Sequence, residues 1–378
     1  MPSPHRRLPL PPSRRGFLLA SAAAGAAVVL TSGTARAAAR PRPFGRHGSP
    51  ADRLTPQTLY VDASGQGDFT SVQSAVTAAT GSGWTLVIAP GTYRETVSVD
   101  VTRTEMTWLG AGEDPRDVVI VHDNAAGTPK PGGGTYGTTG SATTLVQAAG
   151  FTAHRITFAN DWLRADHPGV SGPQAVALKV QGDRSAFHHC HFLGHQDTLY
   201  ADSTALTAFG RQYFSHCYAE GDVDFVFGRA TAVYEHCHFR TLTRTDLGSA
   251  PYGFVFAPST AGANPLGYLV TGSRVSSEAP DAYYKLARPW VPSSDTTARP
   301  SLVVRNTWLG PGIDAVAPYT NMSDSFPWQE QRFAEYRNTG PGARITVPEN
   351  RPQLTRDQAE SATREAYLGD WRPWREVC

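Results

Sequence analysis

The chain has 378 residues, 40% of them hydrophobic, and it is close to electrically neutral with 34 basic and 33 acidic side chains. So even a balance, with no basic run, argues against a nucleic-acid partner. Four cysteines, none in a CxxC pair, are too few for a disulfide scaffold and lack the pattern of a zinc site.

The amino terminus is an export signal. Arg6 and Arg7, then Ser13-Arg14-Arg15-Gly16-Phe17-Leu18-Leu19, precede a small-residue apolar run from Ala20 to Leu30, and Ala35-Arg36-Ala37 supplies an A-x-A cleavage site. The paired arginines are of the twin-arginine type, and the apolar run falls short of the ~20 residues a membrane span needs. Cleavage after residue 37 removes Arg6, Arg7, Arg14, Arg15 and Arg36 and no acid, which leaves 29 basic against 33 acidic residues, a net of −4. Residues 38–56, rich in Pro, Arg and Gly, read as a flexible leader. Residues 57–378 are then one domain, large for a single core unless it is elongated. The mature protein is expected outside the cell, off the membrane and monomeric.

Helical periodicity is scarce in that domain. Val72–Ala79 is one candidate, and Thr355–Tyr367 is another, opening Thr355-Arg356-Asp357-Gln358 like a capping box. Between them, in chain order, Thr85–Ala89, Val118–Val121, Ala175–Val180, Phe225–Phe227 and Leu302–Arg305 read as short strands bounded by Gly, Asn and Asp. Strands without intervening helices indicate an all-β protein.

A repeat decides which kind. Phe187-His188-His189-Cys190-His191-Phe192 through Gln196-Asp197-Thr198-Leu199-Tyr200 lies over Phe214-Ser215-His216-Cys217-Tyr218-Ala219 through Val223-Asp224-Phe225-Val226-Phe227 at a constant offset of 27. Tyr234-Glu235-His236-Cys237-His238-Phe239 follows 20 residues later. Coils of twenty-odd residues built of short strands describe a right-handed parallel β-helix with short terminal helices. Equivalent residues then stack on rungs ~4.8 Å apart, which places Asp197 and Asp224 together. Two carboxylates that close cannot both ionise freely, so one pKa rises while the other stays low. Gln174, 23 residues before Asp197, is expected one rung below in the same column. Such a pair can serve ester or glycoside hydrolysis, or merely cap turns, and spacing alone leaves both open.

Gly91-Thr92-Tyr93-Arg94-Glu95, Gln174-Ala175-Val176-Ala177-Leu178, Gln196-Asp197-Thr198-Leu199-Tyr200, Gly221-Asp222-Val223-Asp224-Phe225-Val226-Phe227-Gly228 and Leu286-Ala287-Arg288-Pro289-Trp290 resemble, in order, the signature segments of pectin methylesterases. Ile156-Thr157-Phe158-Ala159-Asn160 and Phe333 through Gly342 extend the resemblance, which covers about Tyr60 to Trp371. The chain departs from that pattern at Ala287, where the family has glycine, and at Ala159.

The resemblance implies a pectin lyase-like solenoid that hydrolyses methyl esters of polygalacturonate to pectate and methanol without cofactor or metal. It makes Asp224 the nucleophile and Asp197 the general acid, then base. Gln174 and Gln196 become oxyanion donors, and Arg288 the partner of Asp224. Trp290 would stack on a sugar, with Phe158, Tyr200 and Phe227 lining the cleft. A cysteine pair at the spacing of Cys217 and Cys237 also looks familial, and adjacent rungs would put the two Cα atoms within reach of a disulfide. Cys190, one rung to the other side of Cys217, is a competing partner, and three reduced thiols packed in the core are the alternative to any bridge. Two other classes fit a β-helix: a calcium-dependent pectate lyase, which needs clustered acids rather than acids beside amides, and a non-catalytic polysaccharide-binding protein. The histidines from His188 to His238 recur with the coil, which favours a ladder of turn residues over a metal cluster.

Overall fold

The structure, a computed structural model, describes residues 57–375; the expected export signal, the leader and Cys378 lie outside the described residues. Its strands wind into three sheets of ten, eight and seven strands, and in each sheet the spatial order follows the chain. All named strands pair in parallel, so the architecture is a parallel β-helix, right-handed as crossover connections are. Two successive coils show the plan. Ser185–His188, His191–Leu193 and Leu199–Ala201 give one strand to each sheet, and Arg211–Ser215, Tyr218–Gly221 and Val226–Gly228 lie directly over them.

The repeat read from the sequence is this register. Phe187 pairs with Phe214, and Phe214 with Tyr234. Their rings stack at 5.0 and 4.8 Å between centroids along the axis. Inward side chains from all three sheets form one continuous core along the solenoid.

The corner between the first and second sheets explains the His-Cys pairs. In six coils one residue turns the chain there in the left-handed region: Arg155, His189, His216, His236, Asn306 and Arg337, with φ between 49° and 55°. Each is a polar residue, and non-glycine residues tolerate this conformation only locally. Gly272 takes the same corner at φ 57°, where a Cβ would come within 2.9 Å of the His236 ring. The imidazoles of His189, His216 and His236 therefore stack about 5 Å apart as corner residues.

Beside that corner, Cys190, Cys217 and Cys237 form an inward column of free thiols. The expected Cys217–Cys237 bridge is not formed. Each Sγ donates to the carbonyl of the preceding coil, Cys190 to Ala153, Cys217 to Phe187 and Cys237 to Phe214, at 3.3–3.5 Å. The same hydrogen bond repeated on successive rungs carries the sulfurs along at the rung spacing of ~4.8 Å, whereas a disulfide needs ~2 Å.

Phe158 is also not where it was expected. It pairs with Ile120 and Phe192 on the inward face, is fully buried, and packs on Trp108, Phe187 and Phe192. Strand alternation, with neighbours pointing to opposite faces, sends it into the core rather than the cleft.

One end is capped, and the carboxyl-terminal helices pack on the outer face of the first sheet. The helix Val72–Ala78 closes one end with Val72, Ala75 and Val76 buried. Both oxygens of Glu95 accept from its first amides, Val72 N and Gln73 N, at 2.8 and 2.9 Å. The carboxyl-terminal helix of the sequence reading exists as two, Arg356–Ser361 and Arg364–Leu368, because Thr363 caps a second start. Its capping box at Thr355 and Gln358 is formed. Among the described residues, no helix is long and apolar enough to cross a membrane.

Candidate active site

The third sheet carries the site at its leading edge. Leu199 pairs with Val226, which sets Asp197 over Asp224 at the expected offset of 27, and Asp197 N donates to Val223 O at 3.0 Å. Both aspartates adopt left-handed backbone, φ 64° and 51°, immediately before their strands. Asp accepts that conformation at modest cost, and such strain gathers at functional sites. Gly221 permits the tight approach of this turn to the coil below, since a Cβ there would meet His195 O at 2.5 Å and Phe225 Cβ at 2.2 Å.

Gln174 does not share the column of Asp197. Leu178 pairs with Leu199 at an offset of 21, but Ala177 N and Leu178 N both donate to Thr198 O, so the register slips by one before the strand. Ala175 N donates to Gln196 O, which sets Gln174 level with Gln196 rather than with Asp197. The strand here is only Leu178–Val180, shorter than expected, and Ala175–Ala177 approach it as an irregular segment. Gln174 nevertheless reaches the cleft from this segment. Asn160 steadies the approach: its buried Nδ2 donates to the carbonyls of Asn124, Ser141 and Val176 at 2.8–3.2 Å.

A cleft of about 620 Å³ gathers Gln174, Gln196, Asp197, Asp224, Arg288, Tyr200, Phe227 and Trp290. Eight of the nine cleft residues singled out in the sequence converge there; Phe158 is the exception. Arg288 grips Asp224 with a two-pronged pair, Nε to Oδ1 at 2.8 Å and Nη2 to Oδ2 at 2.6 Å. Its guanidinium also lies over the Phe254 ring at 3.8 Å. Ala287, where glycine was the family residue, is fully buried and in register with Phe256, so the added methyl has a place. Tyr200 and Phe227 stack at 4.1 Å and Trp290 leans on both at 6.1 and 5.7 Å, making an apolar wall beside the acids.

The two aspartates differ in electrostatic setting. Burial pushes the Asp197 carboxyl well above the ordinary range, and the Asp224 charge adds to this. Burial also raises Asp224, but the Arg288 bonds oppose it. Asp197 is therefore the member that holds the proton and Asp224 the one that ionises first.

Several cleft residues carried no signal in the sequence. Arg229, Tyr136, Thr138, Thr139 and Met322 line the cavity. Arg229 pairs with buried Asp202 at 2.8 Å, which also holds Lys179 at 3.1 Å. Asp222, two residues before Asp224, is buried. Burial alone would raise its pKa, but His195 and Arg164 outweigh that and hold it well below the usual carboxylate range. The Gly-Asp-Val-Asp spacing was the available clue, since it puts a second carboxylate two residues from Asp224.

The match to known proteins spans the same chain. The Pectinesterase family model covers residues 58–371. The chain belongs to the pectinesterase family. A pectinesterase from Ralstonia solanacearum is 32% identical over 315 residues, covering 75% of this chain and 79% of that protein. Among solved structures, the pectin methylesterase PemA from Erwinia chrysanthemi superposes with a TM-score of 0.74 at 32% identity, over 84% of this chain and 98% of its own. A pectin methylesterase in complex with a hexasaccharide matches with the same TM-score and identity, over 83% and 98%.

Proposed function

We propose that this pectinesterase hydrolyses the methyl esters of homogalacturonan to pectate and methanol, through a covalent intermediate on Asp224. The observation that carries the assignment is the asymmetric pair: stacked Asp197 and Asp224, with a two-pronged arginine on Asp224 alone. An ionised Asp224 attacks the ester carbonyl carbon. The negative charge that develops on the carbonyl oxygen is met by the side-chain amides of Gln174 and Gln196, donors of a kind worth about 3 kcal/mol each when preorganised. Protonated Asp197 gives its proton to the departing methoxide, and methanol leaves. Asp197, now a carboxylate, takes a proton from water, which attacks the acyl-enzyme and frees Asp224 with the proton back on Asp197. Tyr200, Phe227 and Trp290 supply the apolar wall against which a sugar ring and its ester methyl can pack. The aspartates and amides need no metal for this sequence.

The polymer is extracellular, and the basic, apolar and A-x-A order of residues 1–37 supports export to reach it. The enzyme works as a monomer in this reading, because one chain brings every named group together.

Methanol release from highly esterified pectin tests the assignment. Asp224→Asn and Asp197→Asn should each lose about 10²–10⁴ in kcat while the protein remains folded. Either variant keeping more than a tenth of the wild-type rate would mean the roles are misassigned.

A further inference from the structure

Beside the catalytic pair lies a charged cluster to which the mechanism assigns no task. Arg164 stands in the loop that follows Asn160, in a single turn spanning Arg164–Asp166. Its guanidinium reaches across to two other coils. Nη1 donates to Asp222 Oδ2 at 3.1 Å and Nη2 to Asp222 Oδ1 at 3.4 Å. The same Nη2 donates to Gln196 Oε1 at 3.4 Å. Asp222 is almost fully buried and is further held by its contact with His195 Nδ1 at 3.4 Å and by Val223 N at 2.7 Å. The anchor of Arg164 is therefore rigid.

An amide side chain has one accepting and one donating end. With Gln196 Oε1 engaged by Arg164, the NH₂ end is turned to the opposite side, where it lies against Asp197. Inverting the amide would set its NH₂ against the N–H of Arg164, donor against donor, and would aim an oxygen at the place where a second negative oxygen forms. We propose that Arg164, anchored on Asp222, is a positioning residue that locks the Gln196 amide with its NH₂ facing the oxyanion. This rests on the esterase reading of the site and adds a residue to it. Arg164 touches none of the reacting atoms, and it acts through Gln196.

Two consequences separate this role from simple support of the fold. Arg164→Lys keeps a cation for Asp222, but a lysine lacks the fork that reaches both partners at once. It should leave the melting temperature within about 2 °C of wild type, lower kcat about tenfold and change KM less than twofold, since the oxyanion exists only after attack. In a Gln196→Ala background the same substitution should cost less than twofold, because its route to the chemistry is gone. The experiment is this double-mutant cycle on the exported protein, read as methanol release with pectin. A crystal structure of Arg164→Lys accompanies it, in which the Gln196 amide should lose its single orientation. Full kcat in Arg164→Lys, an equal loss in both backgrounds, or an unmoved Gln196 would each overturn the proposal. An inactive wild-type protein would instead overturn the esterase reading, and the Gln196 orientation in the crystal would still decide the positioning.

Discussion

Arg288 offers the sharpest test of how the acid pair is polarised. Replacing it by glutamine removes two charge-assisted bonds, at 2.8 and 2.6 Å, from a carboxylate whose side chain is only 9% exposed. What then acts on Asp224 is burial and the nearby charge of Asp222, and both raise its pKa. An adjacent opposite charge is worth about 1–3 pKa units, so Asp224 should rise by roughly two units and its ionised form should grow scarcer tenfold for each. The acid limb of kcat/KM against pH, followed by methanol release, should move upward by at least one pH unit. The maximal rate should also fall about 100-fold, because the carboxylate loses its orientation as well as its charge partner. Arg288→Lys, with a point charge in place of the fork, should shift the limb far less while still costing about tenfold in rate. Stability carries the same sign. A carboxyl whose folded pKa is raised loses stability as pH climbs through its unfolded value toward the folded one. Arg288→Gln should therefore lose more unfolding free energy at pH 8 than at pH 5, by up to the 3–5 kcal/mol that a broken buried pair costs. A variant with reduced rate but an unmoved acid limb would refute the idea that Arg288 sets which aspartate ionises.

Acid should destabilise the solenoid through its buried imidazoles: burial lowers His188 from 6.5 to about 3, so below pH 6.5 the unfolded chain takes up a proton that the folded one refuses. That single group should cost about 2 kcal/mol between pH 7.5 and pH 5, and urea titrations showing no decline, or an equal decline in His188→Gln, would count against it. Phe158→Ala should cost about 3–5 kcal/mol of stability, since the ring is fully enclosed by Trp108, Phe187 and Phe192, and its KM for pectin should stay near wild type; a large KM change at normal stability would return Phe158 to the cleft. Alkylation of the denatured protein without reductant should label Cys190, Cys217 and Cys237 alike, and a 217–237 bridged peptide would contradict the thiol column.

The parts of this molecule legible in the sequence are those that repeat. A solenoid translates its own local geometry, so Phe187, Cys190 and Asp197 announce the positions of Phe214, Cys217 and Asp224 at a fixed offset, and the pairing reproduces it. The same translation explains the errors. A constant offset fixes backbone register without saying which way a side chain faces, so Phe158 was placed in the cleft although strand alternation turns it inward. It brings Cα atoms of neighbouring cysteines within bridging reach, yet it also repeats their hydrogen bonds and keeps their sulfurs a rung apart. Gln174 escaped the rule because its segment is irregular: the offset is 22 at Ala175 and 21 in the strand that follows, not the 23 assumed. Arg164 was invisible for a different reason. It lies in a loop outside every repeat, where no periodicity records that its guanidinium spans to Gln196 and Asp222. The repeated wall thus fixes where the two carboxylates stand, while unrepeated loop residues govern how their neighbours are oriented. Variation among pectinesterases in rate and pH response should accordingly concentrate in such loops rather than in the aspartate column.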